Sequence, residues 1–409
     1  MKKFHKLFAA MAVCVMLCGC AKNTGAGATT DATTTPPETE ETPTSEMTMK
    51  DYMVANSLMS TGNNYRIKKF IEKARAGEDV TLGFIGGSIT EGYNAGTDKI
   101  YAKLTYEYFA ETFGTGDNVH YVNAGLSGTP SMLGLIRSER DLFKYNPDIV
   151  FIEFAVNDGQ SPADKAAFES LIRRALNQPN EPAVILLFSV VESGYTCRDV
   201  MNLVSFKYDL AKISVKDAIW PYITGNEYTW KEWSNDDAHP NKEGCELYAS
   251  FIINYFETVD KEPAAEGYSV PDSVTQYDNS AIQMVDNQLN TDRITIETLG
   301  SFMDGSNHAK FKNGWTRDTD ANESMKFTFT GDTFFVVYKD TTSASYGSAE
   351  VYVDGQKAGT LMGNSPDGWN NPVTERMFRS GEVSEHTVEI RMAEGDEDKE
   401  FMILCFGIN

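Results

Sequence analysis

Two hydrophobic patterns alternate along residues 48 to 260. Short, continuously apolar runs are typical of strands buried on both faces, and they lie at 80–86, 120–125, 148–155 and 183–190. Amphipathic stretches between them predict helices over 100–113, 162–177 and about 200–218, and a last helix from Pro240 to about Phe256 with proline in its first turn. This alternation predicts an open parallel sheet covered by helices on both faces, in a three-layer α/β/α arrangement.

The pattern changes after residue 260. Residues 261 to 275 are polar and contain prolines, which is typical of a linker. From 276 to 409, apolar runs alternate with turn signals such as Asp354-Gly355, and strands are predicted in 325–339, 349–361, 385–392 and 401–409. This region is therefore predicted to be an all-β accessory domain, a sandwich of jelly-roll type.

The first 47 residues follow neither pattern. Lys2, Lys3 and Lys6 precede an apolar run over 7–17, and Leu-Cys-Gly-Cys then ends at Cys20. This order is typical of a lipoprotein signal peptide over 1–19, with Cys20 as the lipidated first residue, although a buried N-terminal helix is the alternative. Residues 20–47 are rich in Thr, Pro and Glu and predict a disordered tether. We expect a chain held by lipid at the extracellular face of the bacterial membrane.

Charge and cysteine content narrow the classes of partner. A formal net charge of -23 argues against nucleic acid, because phosphate binding needs clustered Lys and Arg. Besides Cys20, the predicted mature chain contains only Cys197, Cys245 and Cys405. These permit at most one disulfide, with the pairing of Cys197 and Cys245 left open, and they exclude a Cys/His zinc cluster.

A serine stands where open α/β sheets bind ligands. Gly86-Gly87-Ser88 closes the first predicted strand, at the carboxyl edge of the sheet. The glycines allow a sharp turn that exposes the hydroxyl of Ser88, and the following helix can direct N–H groups at developing negative charge. A glycine-serine loop is also a common structural turn, so the hypothesis of a nucleophile requires a base.

His239 is the best candidate for that base. It precedes the last predicted helix, and Asp236, three residues earlier, can reach Nδ1 while Nε2 stays available to Ser88. Asp117 and His120 have the same spacing, but they are interpreted as a solvated loop that enters a strand. The other histidines lie in the signal segment or the β domain: His5, His308 and His386.

Two further strand ends offer donors for an oxyanion. Gly128 follows the second predicted strand and could present its backbone N–H, and Asn157 follows the third and could present its amide. With the N–H of Ser88 they would complete an oxyanion hole. Each alone is more often a turn residue.

These blocks, in this order, resemble the SGNH (GDSL-like) hydrolases over about residues 78 to 257. The resemblance implies a flavodoxin-like hydrolase domain with Ser88 as nucleophile, His239 and Asp236 as base and acid, and Gly128 and Asn157 as oxyanion donors. It implies ester hydrolysis through an acyl-enzyme, without metal or organic cofactor. The chain departs from the pattern at Gly87, where many members have Asp, and at Ala155, where the third block usually opens with Gly.

The predicted substrate is an acetylated poly- or oligosaccharide, with plant hemicellulose favoured. Secretion and a resemblance to acetylesterases that combine this fold with a β-sandwich both favour it. Trp315 and Trp369 could stack on a sugar ring, or each could pack in the core of the sandwich. Three alternatives stay open: a short-chain lipid or thioester hydrolase, an O-acetyltransferase, and an inactive surface glycan-binding protein. The membrane is expected to be contacted only through the lipid at Cys20.

Overall fold

The computed structural model describes residues 47–96 and 99–409. The predicted signal peptide, Cys20 and the tether up to Glu46 lie outside the described residues. Among the described helices, none is long and apolar enough to span a bilayer. In the same part of the chain, no three His, Cys, Asp or Glu side chains come together as a metal site would require.

The α/β domain is built on a sheet with the strand order β1-β6-β5-β4-β2-β3. Strands β2 to β6 run parallel to their neighbours and β1 is antiparallel to β6. The four predicted strands are present within two residues of their predicted ends. The runs of β2, β4 and β5 are apolar and buried on both faces, whereas the edge strand β3 is only partly buried. The strands are β1 (Leu58–Ser60), β2 (Val80–Gly86), β3 (Val119–Gly125), β4 (Ile149–Glu153), β5 (Ala183–Phe188) and β6 (Ala211–Ser214).

Helices enclose this sheet, and two sequence predictions for them were wrong. The region 200–218, predicted as helix, contains strand β6 between two helices, because a four-residue strand is too short to show its own period. The last helix begins after Asn241, whose side chain caps it, so Pro240 precedes the cap instead of lying in the first turn. The helices are α1 (Met49–Ser57), α2 (Tyr65–Arg75), α3 (Ser88–Glu91), α4 (Tyr101–Phe113), α5 (Ser131–Asp141), α6 (Pro162–Leu176), α7 (Arg198–Ser205), α8 (Val215–Thr224), α9 (Trp230–Trp233) and α10 (Lys242–Lys261).

The C-terminal region is an antiparallel all-β domain, as predicted. Its long strand β11 pairs with β14 along most of its length, while its first half also pairs with β8 and its second half with β15. The strands enclose an aromatic core in which Trp315 stacks on Phe406. They are β7 (Gln283–Val285), β8 (Ile294–Thr298), β9 (Phe302–Asp304), β10 (Trp315–Arg317), β11 (Met325–Thr341), β12 (Ser348–Val353), β13 (Gln356–Met362), β14 (Trp369–Met392) and β15 (Met402–Ile408).

The two domains share a hydrophobic core. Residues of α5, such as Leu133 and Ile136, belong to the same buried cluster as Val337 of β11 and Leu404 of β15. The connecting segment is also held, because the Glu169 carboxylate of α6 accepts hydrogen bonds from the backbone N–H groups of residues 274 and 275, both at 2.7 Å. The predicted domain boundaries and linker limits stay predictions.

The strand order distinguishes one position at the carboxyl edge of the sheet from the others. The chain runs from β2 to β3 on one side of β2 and then crosses to β4 on the other side. The carboxyl ends of these three strands therefore meet where successive connections leave in opposite directions, and such a crevice is where open α/β sheets bind ligands. The loops that follow β2, β3 and β4 contain Ser88, Gly128 and Asn157.

Candidate active site

Ser88 is the first residue of α3, directly after β2 and the cap residue Gly87. The Oγ atom of Ser88 lies 2.7 Å from Nε2 of His239, which is separated from it by 151 positions in sequence. The sheet edge and the loop before α10 thus bring together the predicted nucleophile and base.

Asp236 completes the hydrogen-bonded line. Its Oδ2 lies 2.8 Å from Nδ1 of His239, and its Oδ1 accepts the backbone N–H groups of Ala238 at 2.9 Å and His239 at 2.7 Å. Burial alone would raise the pKa of the Asp236 carboxyl, but these hydrogen bonds outweigh it and lower the pKa to about 2. Asp236 is therefore ionised at neutral pH, which favours the tautomer with the proton on Nδ1 and leaves Nε2 to accept the proton of Ser88.

The loop after α3 supports this pair. Asn94 donates from Nδ2 to Oδ2 of Asp236 at 2.6 Å, the same oxygen that accepts from His239. The ring of Tyr93 lies against the imidazole of His239, with a centroid separation of 4.6 Å. One short loop therefore holds both the acid and the base. Reasoning from the sequence missed these two residues, although they follow the serine block directly.

Gly128 has a left-handed backbone conformation, with φ at +66°. A Cβ added there would lie 2.6 Å from Cζ2 of Trp369, so the indole would have to move to admit a side chain. The positive φ favours glycine at this position. Trp369 thus extends from the β domain onto the loop predicted to donate to an oxyanion.

Asn157 lies against the cap residue of the serine turn. A Cβ added to Gly87 would be 2.2 Å from Oδ1 of Asn157, so the amide packs on the bare backbone beside Ser88. Among the described residues, Oδ1 of Asn157 is buried without a hydrogen-bond partner. The bare backbone of Gly87 leaves room for this amide beside the serine turn.

Two fully buried carboxyls lie behind these loops. Glu153, at the end of β4, accepts a hydrogen bond from Thr90 of α3 at 3.1 Å, and burial raises its pKa to about 7. Asp158 accepts the backbone N–H of Ser131 at 2.7 Å, and burial raises its pKa to about 7. Asp158 thereby ties the Asn157 loop to the helix that follows Gly128. Glu153 was missed, although a lone acid in an apolar strand is a readable signal.

The two candidate tryptophans have different surroundings. Trp315 is only 1% exposed and is unavailable to a sugar, so the alternative of core packing was the correct one. Trp369 is 54% exposed and lies against Gly128. His120 pairs with Asp79 at 3.0 Å instead of with Asp117. The three described cysteines, Cys197, Cys245 and Cys405, are buried thiols that form no disulfide with one another.

The α/β domain that carries this site is similar in sequence to known proteins. The sequence model of the GDSL-like Lipase/Acylhydrolase family matches residues 84–247. An arylesterase of Vibrio mimicus is 25% identical over 171 residues, which are 41% of this chain and 84% of that protein. Thioesterase 1/protease 1/lysophospholipase L1 of Escherichia coli strain K12 is 23% identical over 188 residues, which are 45% of this chain and 86% of that protein.

Among solved structures, the similarity extends over both domains. A two-domain esterase (CEX) active on acetylated mannans is 27% identical and has a TM-score of 0.78, with 87% of this chain and 97% of that one covered. The same esterase co-crystallised with mannopentaose has a TM-score of 0.77 at the same identity and coverage. The pairing of an α/β domain with this β domain is therefore shared with an esterase.

Proposed function

We propose that this chain, a carboxylic ester hydrolase whose α/β domain matches the GDSL-like lipase/acylhydrolase family, removes O-acetyl groups from a carbohydrate. Acetylated mannan is the substrate class that we favour. The observation that carries this proposal is Trp369, an exposed indole that the β domain presents beside Gly128. An indole offers a flat apolar face to a sugar ring, and this one lies beside the loop that we propose to bind the oxyanion.

The proposed reaction begins with attack of Ser88 Oγ on the acetyl carbonyl carbon, while Nε2 of His239 accepts the hydroxyl proton. The carbonyl oxygen becomes an oxyanion that accepts hydrogen bonds from the N–H groups of Ser88 and Gly128 and from Nδ2 of Asn157. When the C–O bond to the sugar breaks, His239 returns the proton to the departing sugar hydroxyl. Asp236 stays ionised throughout and stabilises the imidazolium.

Water completes the cycle. His239 accepts a proton from a water molecule, and the resulting hydroxide forms a bond to the acetyl carbon of the acyl-enzyme. The ester bond to Ser88 then breaks, the serine oxygen recovers its proton from His239, and acetate leaves. Every proton in this sequence moves through Nε2, so the proposal needs only groups that belong to the chain and water.

We also propose that the protein is secreted and attached to the membrane by lipid. The N-terminal segment ending at Cys20 supports secretion and lipid attachment, which would place the enzyme where extracellular polysaccharide is available. Expression of the full chain and of Cys20→Ala in a bacterium that lipidates its exported proteins tests this. Membrane-bound wild type and a variant released from the membrane fraction are expected. Release of both proteins would contradict the anchor.

Acetate release by residues 48–409 tests the activity. Acetylated glucomannan, acetylated xylan and aryl esters of two, four and eight acyl carbons are compared, with Ser88→Ala as the inactive control. We expect the highest kcat/KM on acetylated mannan and, among aryl esters, on the acetate. A preference for eight carbons would instead favour the lipid or thioester hydrolase. Trp369→Ala should raise KM for the polysaccharide while leaving aryl acetate hydrolysis nearly unchanged.

A further inference from the structure

Glu91 links the serine turn to the oxyanion loop. It is the last residue of α3, the helix that begins at Ser88, and its Oε2 accepts two hydrogen bonds from Ser127. The backbone N–H of Ser127 donates at 2.8 Å and the Ser127 hydroxyl donates at 2.5 Å. Hydrogen bonds to an ionised acceptor are the stronger kind, so this carboxylate holds the loop at a defined distance from α3.

Ser127 immediately precedes Gly128, and Glu91 holds both its backbone N–H and its side-chain hydroxyl. These two hydrogen bonds together restrict the position of the Ser127 Cα, from which the peptide unit that bears the Gly128 N–H extends. Gly128 has a positive φ, and glycine adopts positive and negative φ values about equally readily. Without a restraint, the backbone at this residue could therefore adopt other conformations. The hydrogen bonds from Ser127 to Glu91 therefore restrict the positions that the Gly128 N–H can take.

The β domain also reaches Glu91 itself. Nζ of Lys310, in the segment between β9 and β10, lies 3.6 Å from the second carboxylate oxygen, Oε1. Both side chains are partly exposed, and such an ion pair stabilises a fold only slightly. Its effect would be to bias the orientation of the carboxylate, so that Oε2 faces Ser127.

We propose that Glu91 is a positioning residue that fixes the Gly128 N–H for oxyanion binding, with Lys310 of the β domain orienting its carboxylate. This inference rests on the proposed function, because it takes Gly128 as an oxyanion donor. It assigns to the β domain a direct influence on turnover, separate from any contact with glycan.

Three substitutions separate the parts of this proposal. Glu91→Leu removes both the acceptor for Ser127 and the charge that faces Lys310. Glu91→Gln keeps an oxygen for Ser127 and loses only the charge. Lys310→Met removes only the cation. Glu107→Leu is a matched control, because Glu107 is also a helical acid in an exposed ion pair, with Lys103 at 3.6 Å.

The measurements are kcat and KM on an aryl acetate, per active site titrated with a fluorophosphonate, and amide hydrogen exchange of residues 124–131. We expect Glu91→Leu to lower kcat by about 10- to 100-fold with KM nearly unchanged, since one oxyanion donor is worth about that much or more. Glu91→Gln should recover most of this loss, and Lys310→Met should cost less than about threefold. Exchange should accelerate in Glu91→Leu and not in Glu107→Leu.

An unchanged kcat in Glu91→Leu would overturn the inference, whether or not exchange accelerates. An equal loss in Glu91→Gln, with the fold intact, would also overturn it, because the oxygen that accepts from Ser127 is still present. If wild type hydrolysed no ester, the proposed function would fail instead. Exchange would then decide independently whether Glu91 holds the loop, and unchanged exchange would end the inference as well.

Discussion

In the part of the chain that the structure describes, each domain contains a row of hydrogen-bonded Ser, His and Asp side chains, called here a Ser-His-Asp line. In the α/β domain, His239 lies 2.7 Å from Ser88 and 2.8 Å from Asp236. In the β domain, Nε2 of His386 lies 2.9 Å from Oγ of Ser384, and Nδ1 lies 2.7 Å from Asp354. The distances and the order of atoms are nearly the same. Their surroundings therefore decide what each line can do.

The two serines differ in their place in the fold. Ser88 lies between a parallel strand and a helix N-terminus, with the loops of Gly128 and Asn157 on either side. Ser384 lies inside strand β14, where it is paired with Gly331 of β11. An ester carbonyl that approaches Ser88 is proposed to meet N–H donors, whereas backbone groups in a strand are directed along the sheet.

The surroundings of the two histidines also differ. The ring of His386 is enclosed by Phe378, at a centroid distance of 4.2 Å, and by Phe329. Asp354 accepts the backbone N–H of Thr387 as well as the ring, and the hydrogen bond from His386 lowers its pKa. This line therefore fastens the turn between β12 and β13 to strand β14. Whether a Ser-His-Asp line can act as a catalytic triad therefore depends on nearby donors for an oxyanion and on access of substrate to the serine. The hydrogen bonds within the line are not sufficient.

Replacing each serine with alanine gives the largest contrast. Ser88→Ala should lower kcat on aryl acetates by about 10⁴-fold or more, because the acyl-enzyme is proposed to form on Ser88. Ser384→Ala should leave kcat within about twofold. Fluorophosphonate labelling followed by peptide mapping provides a second measurement. Labelling at Ser384 would show that the β-domain line is also nucleophilic, and the distinction drawn from their surroundings would be wrong.

Asn157→Ala tests whether oxyanion donors distinguish the two lines. We expect kcat to fall by about 10²-fold with KM nearly unchanged, because the amide is proposed to bind charge that exists only in the transition state. Steady-state kinetics on an aryl acetate measure it. Asn180→Ala, on the loop that enters β5 at the amino edge of the sheet, opposite to Ser88, serves as the control. Equal kinetics in Asn157→Ala and wild type would remove Asn157 from the proposed site.

Glu153→Gln tests the buried carboxyl beneath the Ser88 line. The pKa of this carboxyl rises from 4.5 to about 7 on folding, so between these values the folded protein keeps a proton that the unfolded chain has released. Glu153 therefore lowers the free energy of unfolding as pH rises through this window. At pH 8 the free energy of unfolding of Glu153→Gln should exceed that of wild type by on the order of 2 kcal/mol, with a smaller gain at pH 5, so the variant should also unfold at a higher temperature. Scanning calorimetry at both pH values measures it, and equal gains would contradict the assignment.

Asp354→Asn is expected to have the smallest effect on stability and activity. It tests the Ser-His-Asp line of the β domain alone. The loss of the charged hydrogen bond to His386 should lower the free energy of unfolding by about 1 kcal/mol, while kcat on aryl acetates stays unchanged. Denaturant unfolding and steady-state kinetics measure the two quantities. A drop in kcat without a change in stability would indicate that this line takes part in the reaction.

The sequence was sufficient to predict what depends on local pattern and on spacing. Apolar runs located the buried strands, and the three-residue separation of Asp236 and His239 predicted their contact. The short strand β6 was assigned to a helix because four residues show no period. The contact of Trp369 with Gly128 could not be predicted, because it depends on how two domains pack. Neither could the line at His386, which joins a turn and a strand 32 positions apart.

The contact between Gly128 and Trp369 couples the two domains at one point. A side chain added at 128 would come within 2.6 Å of the indole unless the indole moved, and loss of the indole would open space beside the glycine loop. Substitutions at the two positions are therefore expected to be non-additive, as is usual for residues in contact. A β domain grafted from another protein would have to present a side chain of matching shape to this loop.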